Sequence, residues 1–292
     1  MGEVKTAIVG LTIVLMASAA GQDLEDIHVD RVATGFSYVE GPAWSRDGYL
    51  VMSDIPNNNI WRWQSGHPRE LMRANSNGAN GNAFDSQGRL YTCEAHTRRV
   101  VRTDKNGRVE VLADKWLGKK LNEPNDIVVR RDGHVWFTDP AFGPANDRRE
   151  LDFYGVFHIT PRGALEVVAR PAGRPNGIAL APDGRTLYVT NSDEHNVRAY
   201  DIARNGEASN ERIVVGDIEG IPDGMKVDEK GNLYVAAKKL FIFSPAGKAV
   251  GAVDFEETPS NCAFGGPDMD LLFVTARTTV YMVRLGVKGA TP

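Results

Sequence analysis

The chain has 292 residues, of which 42% are hydrophobic and 25% charged; that balance excludes wholesale disorder and fits one large domain or two small ones. Lys and Arg total 34 against 38 Asp and Glu, a net charge of −4, so no strongly basic face is implied and nucleic acid is excluded as an expected partner. The 30 Gly and 15 Pro favour many turns over long helices, and 2 Cys are too few for a disulfide framework.

Residues 1–20 read as a secretory signal: Lys5 opens it, an apolar run from Ala7 to Met16 follows, and Ala17-Ser18-Ala19 offers a small-x-small cleavage site. The run is too short to cross a bilayer of about 30 Å as a helix. Glu3 weakens the basic start, and an uncleaved interfacial anchor is the alternative. Cleavage near Ala20 or Gly21 would put the mature chain in a periplasm or outside the cell, with no membrane attachment. Residues 21–292 then form the functional domain.

Ile27–Val32 is a β-rich segment with no hairpin partner next to it, and it is expected to close a ring by adding to the last sheet. From there a pattern recurs: a polar residue, a short apolar stretch, an Asp-Gly-type turn and an apolar strand. The polar residues are Glu40, Asn80, Asn125, Asn176 and Asp223, each eight positions before a turn glycine (Gly48, Gly88, Gly133, Gly184, Gly231), with Asn261 heading a looser sixth copy. The glycines are spaced by 40, 45, 51 and 47 residues. Third strands are expected at Asn59–Trp63, Arg99–Arg102, Val156–Ile159, Asn196–Tyr200, Leu240–Phe243 and Val280–Val283, and a fourth at Arg108–Leu112. Four strands per roughly 45 residues predict an all-β fold, a six-bladed β-propeller. A pair of β-sandwiches is the runner-up, but it would not keep a six-copy register. Cys93 and Cys262 fall at non-equivalent places in the second and sixth copies; a bond between them is the lesser alternative, and small apolar fillers of buried strands are the expected role.

In a propeller, equivalent residues of the six inner strands lie on one ring around the channel. Here the ring would read Glu40, Asn80, Asn125, Asn176, Asp223, Asn261: hard oxygen donors with no Lys, Arg or His. Such donors suit Ca²⁺, Mg²⁺ or Mn²⁺, and a dication would relieve the repulsion between carboxylates. A turn reading competes, since Asn-Gly and Asp-Gly can simply set a bend. It weakens where the next residue is Asp126 or Cys262, which have no glycine-like freedom.

These stretches resemble a known family. Glu40-Gly-Pro-Ala-Trp44, Ser53-Asp-Ile-Pro-Asn-Asn58, Pro124-Asn-Asp-Ile-Val-Val129, Trp136-Phe-Thr-Asp-Pro140, Arg174-Pro-Asn-Gly-Ile178, Ile221-Pro-Asp-Gly-Met225 and Phe264-Gly-Gly-Pro267 look like the senescence marker protein/gluconolactonase/luciferin-regenerating enzyme family, with the bacterial gluconolactonases nearest. The resemblance implies a propeller with one divalent metal at the channel mouth, calcium first and Mg²⁺, Mn²⁺ or Zn²⁺ as alternatives. It also implies hydrolysis of sugar lactones. By motif it makes Glu40, Asn176 and Asp223 metal ligands, Asn125 a metal or substrate ligand, and Asp223 the base or nucleophile.

Asn80 joins Asn125 as a candidate contact for a lactone substrate. The insertion Pro140–Tyr154 is a candidate lid, with Phe142 and Tyr154 flanking a substrate and Arg148 or Arg149 binding an anion or hydroxyl. Its bland alternative is a solvated excursion. The stretch Cys93-Glu-Ala-His-Thr-Arg-Arg99 departs from the relatives' Cys-Glu-His-Gly-Thr-Arg-Arg, displacing His96, a candidate substrate contact, by one place. Glu123 stands where some sugar-lactone hydrolases carry a basic or small polar residue, which leaves the preferred lactone open. No Gly-x-Ser-x-Gly elbow, phosphate loop, His-Glu-x-x-His or Cys-x-x-Cys motif occurs. Three readings result: a secreted metal-dependent lactonase, monomer or dimer; a non-catalytic propeller binding module with structural calcium; and a metal-dependent phosphotriesterase.

Overall fold

The computed structural model describes residues 27–143 and 146–291; the expected signal segment, residues 1–20, lies outside them. Six four-stranded antiparallel sheets form the blades of a propeller. Their innermost strands are Val39–Ser45, Ala79–Phe84, Ile127–Val129, Pro175–Leu180, Met225–Val227 and Asn261–Gly265. Each polar position expected on the ring falls in one of these strands or within two residues before it.

The turn glycines explain the register. Gly48, Gly88, Gly133, Gly184 and Gly231 have φ of 86°, 76°, 91°, 66° and 86°. Each donates its N–H back to the carbonyl three residues earlier, at 2.9–3.0 Å. A side chain there would be strained, so the recurrent glycine is a backbone requirement of the hairpin between first and second strands.

The second strands, Tyr49–Asp54, Leu90–Glu94, Val135–Asp139, Thr186–Asn191, Leu233–Ala236 and Leu271–Ala276, are buried along almost their whole length. They have a neighbouring blade on each face, which is why they read as apolar runs without alternation. Between the third and fourth blades, for example, Trp136 and Val156 pack against Ile178, Leu180, Leu187 and Val189.

The ring closes as expected, shifted by two residues. Val29–Thr34 pairs antiparallel with Thr279–Arg284 and becomes the outer strand of the sixth blade, so that blade joins both ends of the described chain. A small ribbon, Lys115–Trp116 with Lys119–Lys120, was not expected; Leu117 and Gly118, at φ of 48° and 82°, turn it. Cys93 and Cys262 are buried, unbonded thiols. Among the described residues no helix is long and apolar enough to cross a membrane.

Candidate functional site

The ring residues sit where each inner strand leaves its own sheet and touches the next blade. Strand pairing slips between Glu40 and Ala43, between Ala79 and Asn82, and between Pro175 and Ile178, so the residues in between bulge toward the axis. Gly81 N donates to Asn125 O at 2.7 Å, Gly177 N to Asp223 O at 3.2 Å and Gly224 N to Ser260 O at 2.8 Å. Hydroxyls from the second strand of the preceding blade clamp the same backbone. Ser53 Oγ donates to Asn80 O at 2.7 Å, Thr138 Oγ1 to Asn176 O at 2.6 Å, and Thr190 Oγ1 to Asp223 O at 2.7 Å. Gly81, Gly177 and Gly224 therefore answer to inter-blade contact, while Gly41, at φ 54°, answers both to such contact and to a bend. A Cβ on Gly177 would lie 2.4 Å from Asp223 O, and one on Gly224 1.9 Å from Asn261 Cγ.

The result is a cavity of about 720 Å³ at one end of the channel, lined by Glu40, Asn80, Asn125, Asn176 and Asp223. Five of the six expected ring residues converge there. The sixth, Asn261, sits beneath them and supports Glu40: its Nδ2 donates to Glu40 Oε2 at 3.0 Å, while its Oδ1 accepts from Cys262 N at 2.8 Å. Glu40 Oε2 also accepts from Gly41 N. Glu40 Oε1 is buried without a partner. Asn176 Nδ2 donates to Ser192 Oγ at 3.1 Å, and Ser192 Oγ donates to Pro222 O at 2.7 Å, so one hydroxyl ties Asn176 to the approach to Asp223. With Nδ2 engaged, the Asn176 carboxamide oxygen is the atom left to coordinate.

Both carboxylates resist ionisation. Burial pushes Glu40 up to about 7, with the nearby charge of Asp126 adding to it, while the N–H groups of Gly41 and Asn261 oppose the rise. Asp223 is raised well above its ordinary value by burial first, then by Glu40 and Asp126. Among the described residues no three Asp, Glu, His or Cys side chains make a metal cluster by themselves. The floor instead mixes two carboxylates with carboxamides. That mix fits a hard dication: every donor is oxygen, one carboxylate oxygen is buried and unpaired, and positive charge would relieve both raised acids.

Several lining residues carry a signal that the sequence reading did not use. Tyr38, Arg174, Ile221 and Pro259 all line the cavity, and each lies two positions before a ring residue. All four stand on the segments that lead into the inner strands, and there they form the wall above the floor. Arg174 is held by Asp193, with Nη2–Oδ1 at 2.6 Å, and its guanidinium stacks 4.7 Å over the Phe142 ring. Lys238, paired with Glu219, and exposed Arg277 complete the rim.

The candidate lid contributes Phe142 to the cavity. Arg148 is exposed on the short 3₁₀ turn Asn146–Arg148, and Tyr154 lies under the Arg149 guanidinium at 4.4 Å; neither lines the cavity. His96 also stands outside the lining: it is exposed on a turn of the second blade, with its ring packed over Gly78, where a Cβ would lie 2.5 Å from it. Beside the lid, Asp139 is fully buried and pushed up to about 7 by that burial, although its Oδ2 accepts from Asn122 N at 2.7 Å. Glu123 accepts from Gly143 N at 2.5 Å and so anchors the start of the lid.

Residues 38–278 match the family model described as the SMP-30/Gluconolactonase/LRE-like region. A gluconolactonase of Zymomonas mobilis is 32% identical, over 89% of this chain and 82% of its own. A regucalcin of Xenopus laevis is also 32% identical, over 89% of this chain and 95% of its own. A solved gluconolactonase from Xanthomonas campestris superposes with a TM-score of 0.84 at 32% identity, covering 90% of this chain and 91% of its own.

Proposed function

The chain belongs to the SMP-30/gluconolactonase/LRE-like family, and on that premise we propose that it hydrolyses a sugar lactone with the help of one divalent cation, calcium in the first instance. Glu40, Asn176 and Asp223 would hold the cation, with Asn125 as a further oxygen donor. The observation that carries this reading is the pair of buried, raised carboxylates sharing one cavity floor, one of them with an unpaired oxygen. When bound, such a cation polarises the lactone carbonyl and stabilises negative charge on its oxygen.

The chain's own residues supply the rest. Asn80 and Asn125 face the cavity with carboxamides suited to ring hydroxyls. Tyr38, Ile221 and the Phe142–Arg174 stack offer a wall at the open mouth against which one side of a bound ring would pack. Asp223 acts in one of two ways. As a base it removes a proton from water, whose oxygen adds to the carbonyl carbon; the ring C–O bond then breaks and the proton passes to the departing alkoxide. As a nucleophile its carboxylate adds to the carbonyl carbon, the ring C–O bond breaks while the departing alkoxide takes a proton from water, and a water then hydrolyses the resulting anhydride to the free sugar acid and the Asp223 carboxylate.

The test is proton release from glucono-1,5-lactone, before and after chelation with EDTA. Turnover lost on chelation and restored by Ca²⁺ supports the reading. Calcium binding without turnover across a panel of lactones would leave the ion a structural role on a binding module, and faster turnover of a phosphotriester than of any lactone would reassign the substrate. Residues 1–20 as a cleaved signal would place this activity in the periplasm or outside the cell; the N-terminal sequence of protein recovered from that compartment, beginning at Ala20 or Gly21, is the check.

A further inference from the structure

Below the cavity floor, Asp126 is buried inside the channel, only 1% exposed. Its Oδ1 accepts from Ile127 N at 2.9 Å and its Oδ2 from Ile178 N at 3.4 Å. Its charge acts on the floor above, raising both Glu40 and Asp223. From the opposite end of the channel comes Lys226. It lines a second cavity of about 180 Å³, in which its neighbours include Ile127, Leu180, Val227 and Phe264. Lys226 Nζ lies 3.9 Å from Asp126 Oδ2 and donates to Met225 O at 2.9 Å. Among the described residues Asp126 has no other ion pair.

We propose that Lys226 is a fixed internal counter-ion that sets which charge of metal the floor accepts. Among the described residues, the floor and the channel just beneath it bring together three carboxyl groups, Glu40, Asp223 and Asp126, and one ammonium, Lys226; with a cation on the floor all three carboxyls are counted as ionised. Two negative charges remain, matching one dication. The rim cations do not alter this balance, because Arg174 and Lys238 are paired with Asp193 and Glu219 and Arg277 is exposed at the open mouth. Lys226 is half-buried and acts on the floor through Asp126, the carboxylate 3.9 Å from its ammonium, which lies buried beneath Glu40 and Asp223 and bears on both. Lys226 is thus a specificity-determining residue for the ion: with it the site favours a dication, and without it the excess negative charge favours a trication. This inference rests on the metal reading above and adds the source of its charge selectivity.

The experiment compares Ca²⁺ and Tb³⁺ affinities, by calorimetry and by Tb³⁺ luminescence, in the full chain and in Lys226→Met, Asp126→Asn and the double variant. Lys226→Met should raise the Tb³⁺-to-Ca²⁺ affinity ratio by about tenfold or more, and Asp126→Asn should lower it by a similar factor. The double variant, which again leaves two negative charges, should return the ratio to within about threefold of the parent. A purely structural role for Lys226 would not be reversed by the second substitution. A ratio unmoved in both single variants, or a double variant no nearer the parent than either, would overturn the proposal. If Lys226→Met does not fold, Lys226→Gln and Asp126→Asn carry the same test. A parent chain that binds neither ion would overturn the metal reading itself, a distinguishable result.

Discussion

Asn261 Nδ2 and Glu40 Oε2 lie 3.0 Å apart across 221 residues of sequence, joining the inner strands of the last and first blades. The amide cannot turn around without losing its bond to Cys262 N, so it holds the carboxylate in one orientation and leaves Oε1 free. Glu40→Gln should therefore weaken metal affinity by about 100-fold or more, since a charged donor is lost. Asn261→Ala should weaken it by about tenfold, through orientation alone. Isothermal titration with Ca²⁺ reads both, and equal effects from the two substitutions would contradict the division of roles.

Asp223 differs from Glu40 in facing the cavity from a loop just ahead of its strand, with its backbone carbonyl clamped by Thr190 Oγ1 and Gly177 N. The clamp holds the backbone, so the side chain can change without disturbing the fold. Asp223→Asn is expected to keep the melting temperature within a few degrees and to lose at least about 10³-fold in lactone turnover. Turnover within tenfold of the parent would remove Asp223 from the base or nucleophile role.

The raised acids make stability depend on pH in a defined direction. The metal-free folded state holds a proton on Glu40 up to about 7, whereas an unfolded chain releases it near the ordinary 4.5. Between those values the folded state binds more protons, so its stability is full below the lower value and is lost as pH rises through the upper one; for Glu40 alone this is roughly 3 kcal/mol. The metal-free melting temperature should fall from pH 5 to pH 7.5, and Glu40→Gln should flatten that fall. Calcium should oppose it, binding more tightly as pH rises and releasing protons as it binds. A metal-free protein whose melting temperature climbs over this range would reverse the assignment.

Much of the propeller was legible because its demands are periodic. Turn glycines need positive φ, and second strands are buried on both faces, so Gly184 and Thr186–Asn191 announce themselves locally. The ring was legible for the same reason. A bend explains only Gly41 among its glycine partners; the contact of Gly224 with Asn261 lies between blades and leaves no local trace. The cavity wall was missed because chemistry varies at a fixed position: Tyr38, Arg174, Ile221 and Pro259 share geometry but no residue type. Lys226 reads as a polar interruption of an inner strand until Asp126 is seen across the channel.

Inter-blade contact makes its own prediction. Gly224→Ala would put a Cβ 1.9 Å from Asn261 Cγ, whereas at Gly216 nothing lies within 4 Å and φ is not positive. Gly224→Ala should destabilise by roughly 2–4 kcal/mol and also weaken metal binding, because the side chain it displaces supports Glu40. Gly216→Ala should lie within about 0.5 kcal/mol of the parent, or slightly above it. Urea denaturation with matched m-values distinguishes them, and similar stabilities would mean that the inner strands can part without cost.

The closing strand is held from outside its sheet as well as within it. Arg69, before the outer strand of the first blade, donates from Nη1 to Thr34 O and from Nη2 to Gly35 O at 3.1 Å, and its guanidinium lies 4.2 Å from the Phe36 ring and 4.7 Å from that of Trp61. These contacts fix the link by which Val29–Thr34 leaves the sixth blade and enters the first. Arg31, on the closing strand, pairs with Glu256 of a loop in the fifth-to-sixth blade connection, but both are exposed, so that pair contributes little. Arg69→Ala should cost about 1–3 kcal/mol, from two charge-assisted hydrogen bonds and the ring contacts. Because closure ties one end of the chain to the other, the loss should appear first as faster amide exchange at Val29–Thr34 and Thr279–Arg284, ahead of the remaining blades. Lys in its place keeps the charge but loses the planar fork, and should recover less than half of the deficit. Exchange that quickens evenly over all six blades would show that the propeller opens as one unit, with Arg69 holding no particular seam.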